Sequence, residues 1–318
     1  MHTYTVFGCI SAAALVFGIA SCSDDEGPPD QVTGGNGAAG PNSSASATAS
    51  TGTSAGGGDP NCGETACAPP EPTQPNEMVT FGVVTAQVVD QDDMPAQNVN
   101  AAVCGINLCG DIVNSDAQGN LSVDGQNLSF IAPRFSVGYN GRGYTKLTSL
   151  ISMTDFGTIR VVRLPQFSAG ADLVGATEAT NSGVTLGLAA DSEIKFDCLT
   201  FTDPAERKFV AATVDVSTWT AAEAPFIDQS LDLEVIVALG PLDTHICPAA
   251  SLTFANVRNW AMGANVEIYI HGTKTYQHYA PYGSWAKIAD AVVGADGVAT
   301  VQGQGIEVLG TYGARLAP

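Results

Sequence analysis

The first 133 residues of this chain contain no lysine and no arginine. All 12 basic residues lie at or after Arg134, whereas 14 of the 32 acidic residues precede it, and the formal net charge of the chain is −20 at pH 7. A nucleic-acid partner needs a basic face that neutralises phosphates, so this charge distribution argues against nucleic-acid binding. The same acidity is unfavourable beside anionic lipid headgroups.

The chain also lacks the short motifs that identify common enzyme sites. It contains no nucleophile elbow, HExxH, P-loop, GxGxxG or EF-hand pattern, and only four histidines. A catalytic triad needs no fixed spacing, so the missing motifs remove positive signs of catalysis without excluding it. We predict a protein that is not an enzyme, with no catalytic residues, no cofactor and no bound metal.

The N-terminal apolar run, residues 6–20, is shorter than the stretch of about 20 apolar residues that crosses a bilayer. It leads into Ile19-Ala20-Ser21-Cys22, after which the sequence turns polar. This pattern resembles the lipobox of bacterial lipoprotein signal peptides. The resemblance implies that residues 1–21 are a signal peptide and that Cys22 carries lipid. The alternative is an ordinary secretory leader in which this cysteine has no special role.

The lipoprotein resemblance implies a location in the cell envelope. Two or more acyl chains on Cys22 would hold the protein firmly at a membrane, where one chain is marginal. The next residue is Ser23 rather than Asp, which under the enterobacterial sorting rule favours the outer membrane, on its surface or its periplasmic face. The expected partner is therefore the membrane itself, through the lipid anchor.

The segment after the lipobox lacks the apolar residues of a core. From Ser23 to Glu77 the only large aliphatic side chain is Val32, and Gly, Ser, Thr, Ala, Pro, Asn and acidic residues dominate. Such a composition cannot bury enough apolar surface to offset the entropy of ordering the backbone. We predict that residues 22–77 consist of the lipidated cysteine and a disordered linker that holds a folded head away from the membrane.

Six cysteines remain beyond the leader and the lipobox: Cys62, Cys67, Cys104, Cys109, Cys198 and Cys247. An even number in an exported chain predicts three disulfides, for which the sequence allows 15 pairings. The repeated Cys-x4-Cys spacing favours a bridge within each short motif, which leaves the last two cysteines to pair with each other. Cross-pairing of the two motifs is the alternative. Zinc binding is disfavoured by the oxidising compartment and the lack of nearby histidine.

After Glu77 the sequence changes to short runs of Val, Ile, Thr, Leu and Phe, separated by Gly, Asn, Asp and Pro. Short β-branched runs with turn residues between them predict an all-β fold of two or three tandem β-sandwich modules. Only residues 285–293 have a helix-like composition. We place the modules at residues 78–165, 166–240 and 241–318, the last two as β-rich modules.

Residues 79–164 carry a more specific pattern. Val83–Asp90 alternates toward an acidic turn, Met94–Val99 places a proline before the next run, and Asp116–Leu121 contains a D-x-x-G turn. In this order the segments resemble carboxypeptidase-regulatory, or transthyretin-like, domains, although Asp93-Met94 stands where that family usually has Gly. The resemblance implies a β-sandwich for residues 78–165. Its motifs form strands and turns, so they carry no information about catalysis.

A second resemblance covers part of the C-terminal half. Gly240–Thr244, Pro248–Phe254 and Gly263–Tyr269 follow one another in the sequence. This succession is similar to modules that recur in myxobacterial-type surface lipoproteins. The resemblance implies an exported, β-rich module, and it implies no particular ligand.

One segment has an unusual density of amphipathic aromatic residues, since five of the 23 Phe, Trp and Tyr residues fall within residues 269–285. On a loop, such side chains suit the recognition of a sugar or a peptide, because they offer a large contact area and a polar group. The alternative is a loop whose rings cover the core. The candidate ligand-binding residues are Tyr269, His271, Tyr276, His278, Tyr279, Tyr282 and Trp285.

A cluster of three acidic residues, Asp90, Asp92 and Asp93, falls in a predicted turn between strands. Oxygen-rich loops bind Ca²⁺ when carbonyl groups complete six to eight ligands. The sequence places no further carboxylate beside these three. We therefore favour a solvated turn over a calcium site.

These features predict a non-enzymatic, lipid-anchored protein of the cell envelope, with a β-sandwich head that binds a glycan or a protein at the cell surface or mediates adhesion. The alternative is an extracytoplasmic polysaccharide- or peptide-binding module of an enzyme system, or a hydrolase without a recognisable motif. Aromatic rings facing outward around a concave surface favour ligand binding, whereas rings packed inward favour a structural role.

Overall fold

Extended backbone dominates the computed structural model, which describes residues 60–65, 67, 78–150, 154–274 and 279–318. These residues form twenty β-strands and three 3₁₀-helices of three residues each. The predicted all-β class is confirmed. The helix-like stretch at residues 285–293 is a strand, because it forms ladders with neighbouring strands on both of its edges.

The predicted leader (residues 1–21), the lipidated Cys22 and most of the predicted linker (residues 22–77) lie outside the described residues. Of the linker, only residues 60–65 and 67 are described. Within the described part of the chain, no helix has the length and apolar character needed to cross a bilayer.

Strands β1–β9 form what we call the N-terminal β region. Their bounds are β1 Met78–Thr80, β2 Val83–Val89, β3 Asn100–Cys104, β4 Val113–Asn114, β5 Asn120–Asp124, β6 Ser129–Ile131, β7 Arg134–Val137, β8 Leu147–Leu150 and β9 Asp155–Arg160. One sheet has the order β5-β2-β9, in which β2 and β9 are parallel. A second sheet has the order β4-β3-β7-β8, and β1 pairs with β6.

The two larger sheets of the N-terminal β region pack face to face. Alternate side chains of β2, those of Val84, Ala86 and Val88, are buried, as the two-residue period of a strand requires. They share one apolar cluster with side chains of β3 and β7 from the other sheet. Across this interface the ring centroids of Phe135 and Phe156 lie 4.9 Å apart. The region is therefore a two-layer arrangement around a single core.

Strands β10–β20 form the C-terminal β region. Their bounds are β10 Glu178–Asn181, β11 Val184–Gly187, β12 Glu193–Lys195, β13 Val210–Asp215, β14 Val235–Gly240, β15 His245–Ala255, β16 Asn265–His271, β17 Trp285–Val293, β18 Val298–Val301, β19 Ile306–Val308 and β20 Thr311–Leu316. The main path is β10-β11-β15-β18-β17-β16-β20-β14-β13, and β12 and β19 pair with β15. The sheet nearly closes, because the Ala211 N–H of β13 donates to Asn181 Oδ1 of β10 at 3.0 Å.

This sheet continues across residue 240, where the sequence places a module boundary. Strand β14 lies before the boundary and pairs with β20, near the C-terminus, while β11 pairs with β15. Strands from residues 166–240 and 241–318 thus interleave in one sheet. They surround one apolar interior that includes Leu186, Phe254 and Tyr312, all fully buried.

The two β regions meet along a seam, which we define as the contact of residues 145–149 with β16 and β20. The Thr148 N–H donates to His271 Nε2 at 2.9 Å. The Thr311 hydroxyl donates to the Lys146 carbonyl at 2.7 Å, and it lies 2.6 Å from the Thr145 hydroxyl. All the described residues belong to one compact unit, and polar contacts at the seam join its two parts.

His271 occupies the centre of the seam. Its side chain is fully buried, its ring stacks on Trp285 with centroids 4.5 Å apart, and its Nδ1 lies 3.2 Å from the Ser284 carbonyl. Because Nε2 accepts from a backbone N–H, the ring is neutral and carries its proton on Nδ1. Burial lowers the pKa of His271 to about 4, and the Lys146 charge acts in the same direction.

The disulfides differ from the expected pairing at two of three bridges. Cys104 and Cys109 pair locally, as predicted, with Cα atoms 4.0 Å apart. The predicted bridges Cys62–Cys67 and Cys198–Cys247 are wrong, and so is the cross-pairing of the two short motifs. The observed bridges join Cys62 to Cys198, with Cα atoms 5.4 Å apart, and Cys67 to Cys247, with Cα atoms 5.9 Å apart.

The physical reason for this pairing is that residues 61–63 lie alongside the C-terminal β region. Cys62 forms a parallel bridge with Phe196, and the Gly63 N–H donates to the Phe196 carbonyl at 3.0 Å. The two Cys-x4-Cys motifs therefore differ in backbone conformation and hydrogen bonding. In the second motif the Gly105 N–H donates to the Leu108 carbonyl at 2.8 Å, which closes a local loop.

The pairing predicts the products of a digest without reduction. A protease that cuts after glutamate separates Cys62 from Cys67 at Glu64. Mass spectrometry should then find the Cys62 peptide linked to Cys198 and the Cys67 peptide linked to Cys247. Recovery of Cys62 linked to Cys67 would contradict the observed arrangement.

Removal of the long-range bridge should also lower stability. The double variant Cys62→Ala, Cys198→Ala is expected to lose about 2–4 kcal/mol of unfolding free energy in chemical denaturation, because the bridge restricts a long loop in the unfolded chain. The double variant Cys104→Ala, Cys109→Ala removes a bridge whose cysteines are only five positions apart, and it serves as the control with a smaller expected loss.

His271 predicts a loss of stability on mild acidification. Its pKa in the folded protein, about 4, lies below the ordinary value of 6.5, so the unfolded chain takes up the proton first as pH falls. Stability is full above pH 6.5 and declines toward pH 4, by about 2–3 kcal/mol at pH 4.5. Carboxylates with lowered pKa values, such as those of Glu223 and Glu267, also lose their contribution to stability at acidic pH, so denaturant titrations should show a steeper decline in the wild type than in His271→Gln, whose side-chain oxygen can still accept from Thr148. Parallel pH curves for the two proteins would refute the assignment.

Candidate functional site

A cavity of about 490 Å³ lies beside the seam, and we call it the seam cavity. Its wall comes from both β regions: the loops after β3 and β7, the residues after β12, the β14–β15 turn and the residues on either side of the β16–β17 connection. An adjoining cavity of about 350 Å³ shares part of this wall. The shared residues are Glu64, Asp197, Leu199, Asp243, His245 and Lys274.

A three-member ion pair dominates one side of the cavity. Lys274 Nζ lies 3.0 Å from Asp197 Oδ2 and 3.1 Å from Asp243 Oδ2. Burial alone would lower the pKa of Lys274, but the two carboxylates raise it above its ordinary value. Burial would raise the pKa of Asp197, but Lys274 holds it below its usual range. Lys274 is therefore protonated and Asp197 ionised at neutral pH.

The loop that carries Asp197 is fixed by its own hydrogen bonds. The Asp197 carboxylate accepts from the Thr200 N–H at 3.2 Å and from the Thr200 hydroxyl at 3.0 Å. Arg142, from the N-terminal β region, donates to the Thr200 carbonyl at 2.6 Å and pairs with Glu206 at 2.7 Å. These contacts hold the acidic side of the cavity against the other β region.

Lys146 lines the same cavity and, unlike Lys274, forms no ion pair with a described residue. It is 5% exposed, and its Nζ lies 4.4 Å from the centroid of the Tyr139 ring, a cation–π contact. Across the described ranges, no side chain or carbonyl forms a hydrogen bond or ion pair with this Nζ. Burial lowers the pKa of Lys146 to about 8, with Asp243 and Asp197 opposing the effect and Lys274 adding to it.

The backbone at the seam places Lys146 at the cavity wall. Its carbonyl accepts from the Thr311 hydroxyl, and the adjacent Thr145 N–H donates to the Val162 carbonyl at 2.9 Å. Gly138 has a φ of +62°, and a Cβ there would lie 2.1 Å from the Thr145 carbonyl oxygen. Only glycine allows this close approach of the two segments.

Three tyrosines supply phenol groups to the cavity wall: Tyr139, Tyr279 and Tyr282. Burial raises the pKa of Tyr279 and of Tyr282 to about 12 and also raises the pKa of Tyr139. The Arg134 guanidinium lies over the Tyr282 ring, 5.7 Å from its centroid, and donates to the Tyr282 carbonyl at 3.0 Å. The phenols remain protonated at neutral pH and offer hydroxyl groups rather than charges.

The residues of the predicted aromatic cluster lie in different places in the structure. Tyr279 and Tyr282 line the seam cavity. Tyr269, His271 and Trp285 lie in the packing: Tyr269 donates to Glu267 at 2.9 Å, and Trp285 Nε1 donates to the Phe226 carbonyl at 2.8 Å. These three residues do not line the seam cavity. Tyr276 and His278 lie outside the described residues.

The charged residues of the cavity were missed from the sequence. Lys146, Asp197, Asp243 and Lys274 lie far apart along the chain, and no spacing rule links them. The one local signal is the turn after Gly240, where Asp243 has a φ of +60°. Together these groups offer ammonium, carboxylate and phenol partners to a polar ligand in a partly enclosed space.

The Asp90 cluster lies elsewhere and is a capped turn. Asp90 Oδ1 accepts from the Asp92 and Met94 N–H groups, each at 3.0 Å, and its Oδ2 lies 2.7 Å from Arg163. Asp93 pairs with Arg160 at 2.5 Å. Arginine counterions thus pair with the carboxylates of Asp90 and Asp93, and turn hydrogen bonds add to those of Asp90. Among the described residues, no group of three His, Cys, Asp or Glu side chains is arranged to hold a metal ion.

The Lys274 ion pair predicts a moderate effect on stability. In Lys274→Met, two carboxylates lose their counterion, one of them on the nearly buried Asp243. Because 41% of the Lys274 side chain is exposed and solvent screens the charges, we expect a loss of about 2 kcal/mol in the free energy of unfolding at pH 7. The control Lys208→Met removes an ion pair with Asp172, whose side chain is 79% exposed, and should change stability by less than about 0.5 kcal/mol. Equal losses of unfolding free energy in the two variants would refute a larger stabilising contribution from the Lys274 ion pair.

In comparisons with models of protein families and with curated proteins, nothing matches this chain.

Proposed function

We propose that this chain is a lipid-anchored protein of the bacterial cell envelope whose folded head binds a polar organic molecule in the seam cavity, without catalysing a reaction. The observation that carries the binding role is the cavity itself. Charged side chains from both β regions surround a space of about 490 Å³, which is within the size range of small-molecule sites.

The anchor rests on the sequence of the first 22 residues. Small residues stand at the positions before Cys22, the apolar run before them is too short to span a bilayer, and the polar linker begins at once. An acylated cysteine followed by a long polar segment would hold the head near a membrane and still leave its cavity accessible to solutes.

The chemistry of the wall supports a ligand rich in hydroxyl groups. Tyr139, Tyr279 and Tyr282 present rings with a hydroxyl at one end, a combination that suits stacking on and hydrogen bonding to a sugar. This favours glycan recognition over protein adhesion, since a protein partner would need a broad exposed face. The same observation supports the second candidate, a polysaccharide-binding module that accompanies an enzyme system.

Lipidation is tested by expressing the full chain in a Gram-negative host with labelled palmitate. The wild type should incorporate label and partition into detergent, and the Cys22→Ser variant should do neither. Cys9→Ser is the matched control, because Cys9 lies within the predicted leader and should leave labelling intact. Equal labelling of wild type and Cys22→Ser, or a mature N-terminus at another residue, would refute the anchor.

Ligand binding is tested by calorimetric titration of the full chain with a panel of mono- and disaccharides. We expect binding that weakens about threefold to tenfold in Tyr139→Phe, which removes one cavity hydroxyl. Tyr269→Phe removes a hydroxyl outside the cavity and should leave the affinity unchanged. Equal affinities of the two variants would place the binding elsewhere, and hydrolysis of the bound saccharide would favour the hydrolase alternative.

A further inference from the structure

Lys146 stands out among the charged groups of the seam cavity. It is 5% exposed and lies on the cavity wall, and no described residue accepts a hydrogen bond from its ammonium. The nearest carboxylates, Asp197 and Asp243, are both already paired with Lys274. The ammonium faces the Tyr139 ring and the cavity.

Such an arrangement is unfavourable for stability by itself. Burying a charged group without a hydrogen-bonded partner is costly, and an apolar side chain of the same length would be tolerated better. Unpaired titratable groups in a cleft are a recognised mark of functional sites. The donors of Lys146 that no described residue uses therefore point to a ligand bound in the cavity.

We propose that Lys146 binds the carboxylate of an acidic saccharide, a uronic acid unit, in the seam cavity. This inference rests on the proposed ligand-binding function and specifies its ligand. The ammonium donates to the carboxylate oxygens, and the phenols of Tyr279 and Tyr282 lie on the same wall to meet ring hydroxyls.

The pairing of charges in the wall leaves one cation for a ligand. The described wall carries the ammonium groups of Lys146 and Lys274 and the carboxylates of Glu64, Asp197 and Asp243. Lys274 pairs with Asp197 and Asp243, so Lys146 is the ammonium that can pair with a single ligand carboxylate. A phosphate dianion would need more donors. The described part of the wall contains no arginine, the side chain best suited to bidentate phosphate binding.

The wall also favours a saccharide over an amino acid. Tyr139, Tyr279, Tyr282 and Asn140 offer neutral partners around the cavity, which match several hydroxyl groups. Asp197 and Asp243, which could bind the ammonium of an amino acid, are already paired with Lys274. A uronic acid satisfies both features, since it combines one carboxylate with a ring of hydroxyls.

The proposal includes a definite pH dependence. Lys146 faces Asp243, Asp197, Lys274 and the Tyr139 ring, and its pKa is about 8. It is protonated below that value, so affinity for the carboxylate should be nearly constant from pH 6.5 to 7.5. Affinity should then fall above the pKa of Lys146 in the free protein, about 8, by up to tenfold per pH unit until the pKa of the complex is reached.

The experiment is calorimetric titration of the full chain with D-glucuronate, D-glucose and L-glutamate. The first two differ only in a carboxylate against a hydroxymethyl group. We expect glucuronate to bind at least tenfold more tightly than either other probe, and to lose at least tenfold in affinity in Lys146→Met. The fall in affinity above about pH 8 should be absent in that variant.

Lys146→Met also separates binding from folding. Its melting temperature should equal or exceed that of the wild type, because an unpaired buried ammonium is replaced by an apolar side chain. Lys208→Met, which removes an exposed ion pair outside the cavity, should bind glucuronate as the wild type does. A circular dichroism spectrum like that of the wild type confirms that Lys146→Met is folded.

Other outcomes overturn the inference in distinguishable ways. Equal binding of glucose and glucuronate, unaffected by Lys146→Met, would remove the carboxylate role and leave the proposed saccharide-binding function intact. Tighter binding of glutamate would overturn the saccharide assignment. Absence of binding by all three probes at millimolar concentration would overturn the inference, and failure of the wider saccharide panel would overturn the proposed function as well.

Discussion

The most distinctive features of this fold depend on the seam, the contact of residues 145–149 with β16 and β20. There the Thr148 N–H donates to a neutral, buried His271, and the Thr311 hydroxyl donates to the Lys146 carbonyl. These bonds join two separately cored β regions into one compact unit. They also place Lys146 at the edge of the space that the two regions leave between them.

The two lysines of the seam cavity differ in their partners. On one side, Lys274 pairs with both Asp197 and Asp243. On the other, Lys146 is buried against an aromatic ring, and no described side chain forms an ion pair with it. Because Lys146 and Asp243 are largely shielded from water, a single added charge matters more there than it would on the surface. The bridges from Cys62 and Cys67 bring the end of the linker segment to the same edge, where Glu64 lines the wall.

Sequence reasoning succeeded where the physics is local. The alternation in β2, the turn at Asp116–Gly119 before β5 and the short Cys104–Cys109 loop all depend on neighbours within a few residues. It failed where strands distant in sequence pair. The bridge from Cys62 to Cys198 requires residues 61–63 to lie beside Phe196. Residues 285–293 have a helix-like composition, but they form strand β17 because strands pair with both of its edges.

The amino-acid sequence by itself determined the β class, the positions of most turns and the acidic character of the chain, because residue type and two-residue period act on the backbone directly. It also contains Ile19-Ala20-Ser21-Cys22, the segment on which the proposed anchor rests. Only the tertiary structure decided which cysteines pair, which aromatic residues line a cavity and which cavity lysine has no counterion among the described residues. Those outcomes depend on long-range strand order in a nearly closed sheet, and the contacts it creates join residues that no local spacing connects.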